Sequence, residues 1–132
     1  MKDDPRYGAE VIRRLRELPG AGDLPAELPG AFAGRAEAAD GGARVLLALR
    51  AERGVVVAAR FRAYGCPYLI AAASWLTERL IGATRAEVAG WDWSEVADAL
   101  EVPAARFGRL ITLQDAVRAA AAAWPGDTVA TV

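Results

Sequence analysis

Apolar and polar positions at the start of the chain predict one amphipathic helix followed by a long loop. In residues 7–18, YGAEVIRRLREL, apolar side chains recur at helical spacing and arginines occupy the other side. Pro19-Gly20 predicts the end of this helix. Glycine and proline are frequent in the first part of residues 19–42, which indicates a loop that could contain one short strand near Ala31–Arg35.

Residues 43–52 and 54–64 alternate between apolar and polar side chains, which predicts two antiparallel strands joined by a hairpin turn. Gly54 suits this turn, because short hairpin connections favour a residue with positive φ. One face of the sheet should be buried and the other partly solvated. The apolar face of the second strand is expected to hold Val55, Val57, Ala59, Phe61 and Ala63.

Helical spacing returns after Cys66 and continues through a broad apolar surface to Ile81. Pro67 suits the first turn of this helix, where its missing N–H costs nothing, and Gly82 is the expected stop. Because the preceding strand ends immediately before this helix, Cys66 is expected at the joint between the two elements.

Three further helices are expected at about 84–90, 92–100 and 110–124, and the tail 127–132 is expected to fray. Strands and helices are therefore segregated along the chain. That order is typical of an α+β fold, here a small antiparallel sheet of two to three strands packed against about five helices. The length and the 54% hydrophobic content suit a single domain over residues 1–132.

The charge balance bears on the class of partner. Sixteen basic and seventeen acidic residues give a net charge of −1, which argues against nucleic acid, because phosphate binding needs a basic excess. The N-terminus MKDDPRYG has no apolar signal-peptide core, and no apolar run is long enough to span a membrane. One cysteine cannot form an intramolecular disulfide. The expected location is therefore the cytoplasm, away from any membrane.

Reactive side chains are scarce, because the chain has no histidine and a single cysteine, Cys66. This composition excludes a Ser-His-Asp or Cys-His arrangement and a four-ligand zinc site of the usual type. A phosphate- or nucleotide-binding enzyme has no supporting motif either, since the Gly-x-Gly at 20–22 does not follow a strand. Amides at a helix N-terminus carry partial positive charge, so a thiol at the AYGCPY corner could bind metal or accept sulfur. Cys66 could equally be a small buried hydrophobe.

The segment at 59–84, ARFRAYGCPYLIAAASWLTERLIGAT, resembles the NifU-like N-terminal domain family, the U-type iron–sulfur cluster assembly scaffolds. The hallmark of that family is an A-R-F-K-T-Y-G-C-type strand and corner, followed by a helix rich in Ala and Ser. The first helix and the closing segment at 100–124, LEVPAARFGRLITLQDAVRAAAAAW, are similar to those of the family as well. The resemblance therefore covers nearly the whole chain.

The resemblance implies a scaffold on which an iron–sulfur cluster is built from iron and from sulfur that a cysteine desulfurase delivers, and not an enzyme. The family normally holds its cluster on three cysteines, helped by an aspartate and sometimes a histidine. Only the middle cysteine is present here, as Cys66. By the resemblance, the first cysteine falls at Asp40, the aspartate at Gly42, the third cysteine at Arg109 and the histidine at Gly108.

These differences leave more than one function open. In a scaffold, Cys66 would bind iron or a cluster or accept sulfur, and Asp40 would be an auxiliary ligand, although clusters prefer thiolates. A cluster shared between two chains, with one thiolate from each, is a variant of this. Alternatively, the chain is a cluster-free binding or regulatory module that docks a cysteine desulfurase or another assembly partner. Arg109 cannot ligate, because its guanidinium stays protonated, but it could pair with Asp40 or with the Cys66 thiolate. Asp40 and Arg109 could also be ordinary solvated loop residues.

Three surface features complete the sequence-based expectations. Residues 102–106, VPAAR, correspond to the Leu-Pro-Pro-Val-Lys run that a dedicated Hsp70-type chaperone recognises in the family, but they keep only one proline and a basic end. Four tryptophans are expected in the core rather than in an exposed aromatic patch, namely Trp75, Trp91, Trp93 and Trp124. Five arginines could form an electropositive face for an acidic partner or simply a solvated surface, namely Arg13, Arg14, Arg16, Arg60 and Arg62.

Overall fold

The computed structural model describes residues 7–125. In chain order its elements are α1 (Ala9–Glu17), β1 (Ala31–Glu37), β2 (Arg44–Glu52), β3 (Val55–Tyr64), α2 (Pro67–Arg79), α3 (Arg85–Ala89), α4 (Ser94–Ala99), a 3-10 turn (Ala104–Arg106) and α5 (Phe107–Ala122). The strands form one antiparallel sheet in the order β1-β2-β3. The α+β class, with three strands and five helices in the described part of the chain, is therefore confirmed. The predicted fraying at 127–132 lies outside the described residues.

Helices cover one face of the sheet, where α5 crosses β1 and β2 and α2 packs on β3. Leu47 lies opposite Gly34 on one side and Phe61 on the other, so these three residues form one row across the covered face. Leu47 and Phe61 are buried. An added Cβ at Gly34 would lie 2.2 Å from the carbonyl oxygen of Ala116 and 2.2 Å from the amide nitrogen of Ala120. A glycine is therefore required where α5 crosses β1.

The prediction for β3 is wrong at its beginning, because a β-bulge changes which side chains face the core. The register shifts between Arg50 and Ala51 of β2, which leaves Val57 as an extra residue in β3. Val56 is consequently buried, whereas Val57 is 38% exposed. Beyond the bulge the alternation holds as predicted, and Phe61 points into the core.

Two other elements differ in extent from their predictions. The short strand considered near 31–35 is a full strand, because it pairs with β2 along its whole length as far as Glu37 opposite Arg44. The last helix begins at Phe107 instead of Leu110, because the 3-10 turn runs directly into it. Gly108 therefore lies in the first turn of α5. Glu37, just before the loop of Asp40, and Gly108, next to Arg109, therefore lie in regular structure.

The four tryptophans belong to the core, as predicted. Trp91 and Trp124 are buried, and Trp75 and Trp93 are partly buried and pack against the core. The indole N–H of Trp91 donates to Glu95 Oε1 at 3.0 Å, so its polar atom is satisfied.

A buried arginine fastens α1 to α2. Arg14 is only 4% exposed, and its guanidinium donates to Glu10 Oε2 at 2.8 Å, to Ser74 Oγ at 3.1 Å and to Glu78 Oε1 at 2.5 Å. Ser74 Oγ in turn donates to the carbonyl of Pro19 at 2.7 Å. The burial of this charge is therefore compensated by three partners on two helices.

Three of the five arginines named above are buried or held by carboxylates, which argues against one electropositive face made of all five. Arg14 is buried in the network just described. Arg13 donates to Glu10 and Glu17, and Arg62 donates to Asp23. Most of their positive charge is therefore neutralised locally.

Arg14→Ala is expected to lower the free energy of unfolding by about 2 kcal/mol. Breaking a fully buried ion pair costs about 3–5 kcal/mol, but the carboxylates of Glu10 and Glu78 can regain water here. Thermal unfolding followed by circular dichroism measures the change. Arg118→Ala, on the exposed surface of α5, is the control and should leave the melting temperature almost unchanged. Equal melting temperatures for the two variants would contradict the role of the network.

Candidate functional site

Cys66 is the N-cap residue of α2, with φ −72° and ψ 162°. Its carbonyl accepts the N–H groups of Leu69 and Ile70 at 3.1 and 3.2 Å, and Pro67 occupies the first helical position, as predicted. The side chain is half-buried and packs against the edge of the core. The thiol therefore lies beside the partial positive charge of the first turn of α2.

Gly65 brings this corner close to the β1–β2 loop. Its φ of +153° lies in the region that favours glycine. A Cβ at this position would be 2.7 Å from Leu69 Cδ2 and 3.3 Å from the carbonyl oxygen of Gly42. The corner and the loop thus touch through backbone, and a larger residue at Gly65 would separate them.

Asp40 and Arg109, far apart in sequence, form a two-pronged ion pair. Arg109 Nη1 donates to Asp40 Oδ1 at 3.1 Å, and Nη2 donates to Oδ2 at 3.2 Å. Asp40 Oδ1 also accepts the N–H of Gly42 at 2.8 Å, which fixes the carboxylate within its loop. Of the alternatives drawn from the sequence, the pairing of Asp40 with Arg109 is therefore the one present.

The guanidinium of Arg109 fills the space beside Gly42. A Cβ at Gly42 would lie 2.6 Å from Arg109 Nη2 and 3.1 Å from Arg109 Cζ. Real Cβ atoms do not approach other heavy atoms at 2.6 Å. A side chain at Gly42 would therefore require the guanidinium of Arg109 to move away from this position. Nothing in the sequence at Gly42 alone signalled this dependence.

The ion pair shifts the pKa of both Asp40 and Arg109 so that each group stays charged over a wider pH range. Hydrogen bonds from Arg109, and then from the amide of Gly42, hold the pKa of Asp40 below its usual 3.8. The contribution of the Asp40 carboxylate to folding stability is therefore complete above that pH, and it is lost as the pH falls through the pKa of Asp40 in the folded state. Hydrogen bonding to Asp40 is the main cause that raises the pKa of Arg109, and attraction to Cys66 adds a smaller rise.

The donors at this site do not fit a complete iron–sulfur cluster on one chain. Such clusters are held by four ligands, mostly thiolates, and the site offers one thiol together with one carboxylate that Arg109 already binds. Within residues 7–125, no group of three or more Cys, Asp or Glu side chains is placed to hold a metal ion. The assignment of Cys66 and Asp40 as ligands stays a prediction.

Other predicted features lie nearby. Residues 103–106 are exposed and form the turn that leads into α5, but their recognition by a chaperone stays a prediction. No helix of the described part of the chain is both long and apolar enough to cross a membrane. Two exposed arginines that the sequence analysis missed, Arg35 and Arg44, lie at the end of the sheet near this loop. The register of the β1–β2 hairpin could have revealed them, had the full length of β1 been predicted.

Comparison with known sequences gives one consistent result. The NifU-like N terminal domain model matches residues 6–131. The iron-sulfur cluster assembly scaffold protein IscU of Azotobacter vinelandii is 29% identical over 115 residues, which cover 86% of this chain and 90% of that protein. IscU of Haemophilus influenzae and of Escherichia coli K12 are each 34% identical over 71 residues, 54% of this chain. Those matches span about half, 56%, of the relatives' own length.

Solved structures share the fold at low sequence identity. A putative iron-sulfur cluster assembly scaffold protein for the SUF system from Fervidobacterium islandicum AW-1 has a TM-score of 0.67 at 14% identity, covering 87% of this chain and 96% of that one. The N-terminal part of a nitrogen-fixing NifU-like protein from Brucella abortus has a TM-score of 0.54 at 19% identity, covering 84% and 76%. At these identities the likeness concerns the fold alone.

Proposed function

The chain belongs to the NifU-like N-terminal domain family, and from this premise we propose that it works in iron–sulfur cluster assembly as a scaffold-type protein whose reacting group is the Cys66 thiol. Its substrate is the sulfane sulfur that a cysteine desulfurase carries as a persulfide. The chain accepts this sulfur and does not itself turn over a substrate. The scaffold relatives support the role in assembly, and the geometry around Cys66 supports the choice of sulfur acceptor.

The observation that carries this proposal is the convergence of three groups on one corner. Cys66 is half-buried at the N-terminus of α2, the backbone of Gly65 touches the loop of Asp40, and Arg109 is paired with Asp40 on that loop. Backbone N–H groups of the first turn of α2 carry partial positive charge, and the guanidinium of Arg109 carries a full positive charge. The corner is therefore suited to hold an anion on Cys66.

The transfer step needs no oxidant or reductant beyond the persulfide itself. The Cys66 thiolate attacks the outer sulfur of the desulfurase persulfide, and a new sulfur–sulfur bond forms on Cys66. The sulfur–sulfur bond of the donor breaks, and the donor cysteine leaves as a thiolate. Any proton on the outer sulfur stays with it. The Cys66 persulfide then loses its proton to solvent, and the positive charge of Arg109 stabilises the perthiolate that remains.

Asp40 limits how far Arg109 can move toward that perthiolate. The carboxylate holds both terminal nitrogens of the guanidinium, and the side chain of Arg109 is 28% exposed. The cation is therefore held on the loop that touches the Cys66 corner rather than free in solvent. In this arrangement Asp40 positions Arg109, and the auxiliary ligand role considered for Asp40 would require the ion pair to open.

The same ion pair favours a second candidate function, a cluster-free module that docks a cysteine desulfurase or another assembly partner and regulates it. An arginine and a glycine stand where family members carry a cysteine and an aspartate, and Arg109 fills the space beside Gly42. A module of this kind would bind its partner without chemistry at Cys66. The two candidates therefore differ in whether Cys66 is needed.

The rate at which a cysteine desulfurase forms alanine from cysteine separates the two candidates. Dithiothreitol is included so that sulfide is released from any persulfide formed on this chain. An acceptor clears the desulfurase persulfide, so the wild-type chain is expected to accelerate alanine formation and Cys66→Ser is expected to lose most of that acceleration.

The controls use the same assay. Stimulation that is equal in wild type and Cys66→Ser would reject sulfur acceptance and support the regulatory module. No stimulation by either chain, together with no binding of the desulfurase in a pull-down, would reject both candidates. Arg118→Gln, a change on the far surface of α5, should behave as wild type.

A further inference from the structure

The face of the sheet opposite the helices is only half covered. The loop at 19–30 crosses the half farther from Cys66, where the Arg50 guanidinium donates to the carbonyl of Pro29 at 3.1 Å. A small cavity between Leu24 and the β1 and β2 residues Ala33 and Ala48 lies beneath this loop. The other half of the face, next to the β1–β2 loop, is open except where Asp23 of the 19–30 loop holds Arg62.

An open groove of about 630 Å³ lies on this uncovered half. The strand register places its outward-facing residues in two rows across β1, β2 and β3. One row is Glu37, Arg44 and Tyr64, and the other is Arg35, Leu46 and Arg62. We refer to these six residues as the basic groove. All of them except Leu46 are exposed, so the groove is accessible.

Among the described residues, two guanidinium groups of the basic groove have no ionic partner. Arg62 is held by Asp23 at 2.6 and 2.7 Å. Arg44 lies over the ring of Tyr64 at 5.0 Å, and within residues 7–125 no ion pair involves Arg44 or Arg35. Glu37 is the acidic member of the groove. The whole chain carries a net charge of −1. Two neighbouring arginines without an ionic partner among the described residues therefore form a local concentration of positive charge and do not reflect a generally basic chain.

The spread of these charges indicates what kind of ligand fits. Arg35 and Arg62 flank Leu46 in one row, so their Cα atoms are about 10 Å apart, two strand spacings. Arg44 lies in the next row, so the cations surround an apolar centre. A small anion would satisfy one guanidinium and leave the apolar centre unused. A segment with carboxylates beside an apolar side chain would match Arg35, Arg44 and Leu46, whereas Arg62 is already held by Asp23.

We propose that the basic groove is a docking surface for an acidic segment of a partner protein. This inference goes beyond the function proposed above, because Cys66 is not part of the groove. The groove nevertheless ends at Tyr64, two residues before Cys66, and at Glu37, where the loop of Asp40 begins. A partner that docks here is therefore held beside the reacting thiol.

A synthetic glutamate-rich peptide with interspersed leucines is the probe, and the same peptide with glutamine for glutamate is its control. Titration followed by nitrogen–proton NMR is expected to shift the amides of residues 35–37, 44–46 and 62–64 with the acidic peptide only. Arg35→Gln/Arg44→Gln is expected to weaken binding about five- to tenfold, since exposed charge pairs each contribute modestly. Binding should also weaken as salt increases.

Matched variants keep the test decisive. Arg53→Gln/Arg118→Gln removes the same charge from exposed positions outside the groove, and it should bind the acidic peptide as wild type does. Cys66→Ser should also bind it normally, so a failure of sulfur acceptance leaves this inference standing. Equal weakening by both double variants would overturn the docking surface. So would equal binding of the two peptides, displacement of the acidic peptide by millimolar inorganic phosphate, or shifts caused only by self-association of this chain.

Discussion

The triple variant Asp40→Cys/Gly42→Asp/Arg109→Cys is expected to hold a coloured iron–sulfur cluster after anaerobic incubation with iron and sulfide, whereas the wild-type chain stays colourless. The three changes supply the ligand types that the resemblance implies at these positions, so that together with Cys66 the site has three thiolates. Clusters prefer thiolates to carboxylates, and arginine cannot ligate at all. Visible absorbance and bound iron per chain are the measurements.

The effect of Gly42→Asp is expected to depend on whether Arg109 is present. Gly42→Asp alone is expected to displace the Arg109 guanidinium from Asp40 at a small cost in stability, because the new Cβ would lie 2.6 Å from Nη2, at the end of a flexible side chain. In the background of Arg109→Cys the same change should be nearly neutral, since the guanidinium is gone. Thermal unfolding of the two single variants and the double variant measures this coupling.

The control for the triple variant is the addition of Cys66→Ser, which should remove the colour. A wild-type chain that takes up iron and sulfide as well as the triple variant does would contradict the view that the ion pair replaces a cluster. A folded triple variant that stays colourless would show that the three positions do not converge on Cys66.

Gly34→Ala is expected to lower the free energy of unfolding by more than about 3 kcal/mol, at the upper end of the range for overpacked sites. The new Cβ would lie 2.2 Å from two backbone atoms of α5. Backbone inside a helix cannot rotate away as a side chain can, so α5 would have to lift off β1. For a chain of this size, the melting temperature should fall by roughly 10 °C.

Gly108→Ala provides the matched comparison for this prediction. The substitution is chemically identical and lies in the first turn of α5, but no atom lies within 4 Å of the new Cβ. Alanine is the better helix former by up to about 1 kcal/mol, so this variant should be as stable as wild type or slightly more stable. Similar melting temperatures for Gly34→Ala and Gly108→Ala would contradict the proposed crossing of α5 over β1.

The fold was predictable because local signals and the hydrophobic pattern agree over most of the chain. The capping box at Thr84 and Glu87 is present, with hydrogen bonds in both directions, and Pro67 begins α2 as predicted. The bulge at Val57 could not be found in this way. Val55, Val56 and Val57 are all valines, so neither alternation nor a turn residue marks which one is the extra residue.

The candidate site was predictable only in part. The positions of Asp40 and Arg109 came from the resemblance, since no local pattern links residues so far apart in sequence. Their pairing depends on how α5 packs against the β1–β2 loop, and the space beside Gly42 depends on where the guanidinium lies. The basic groove needs the register of all three strands. Such features arise from tertiary packing and leave no local trace in the sequence.

The mass of the intact chain after incubation with a cysteine desulfurase and cysteine, without reductant, tests the central claim most directly. The account predicts that the wild-type chain gains the mass of one sulfur atom, that peptide mapping places it on Cys66, and that Cys66→Ser gains nothing. An unchanged wild-type mass, while a known sulfur acceptor in the same mixture is loaded, would contradict the claim that Cys66 accepts sulfur.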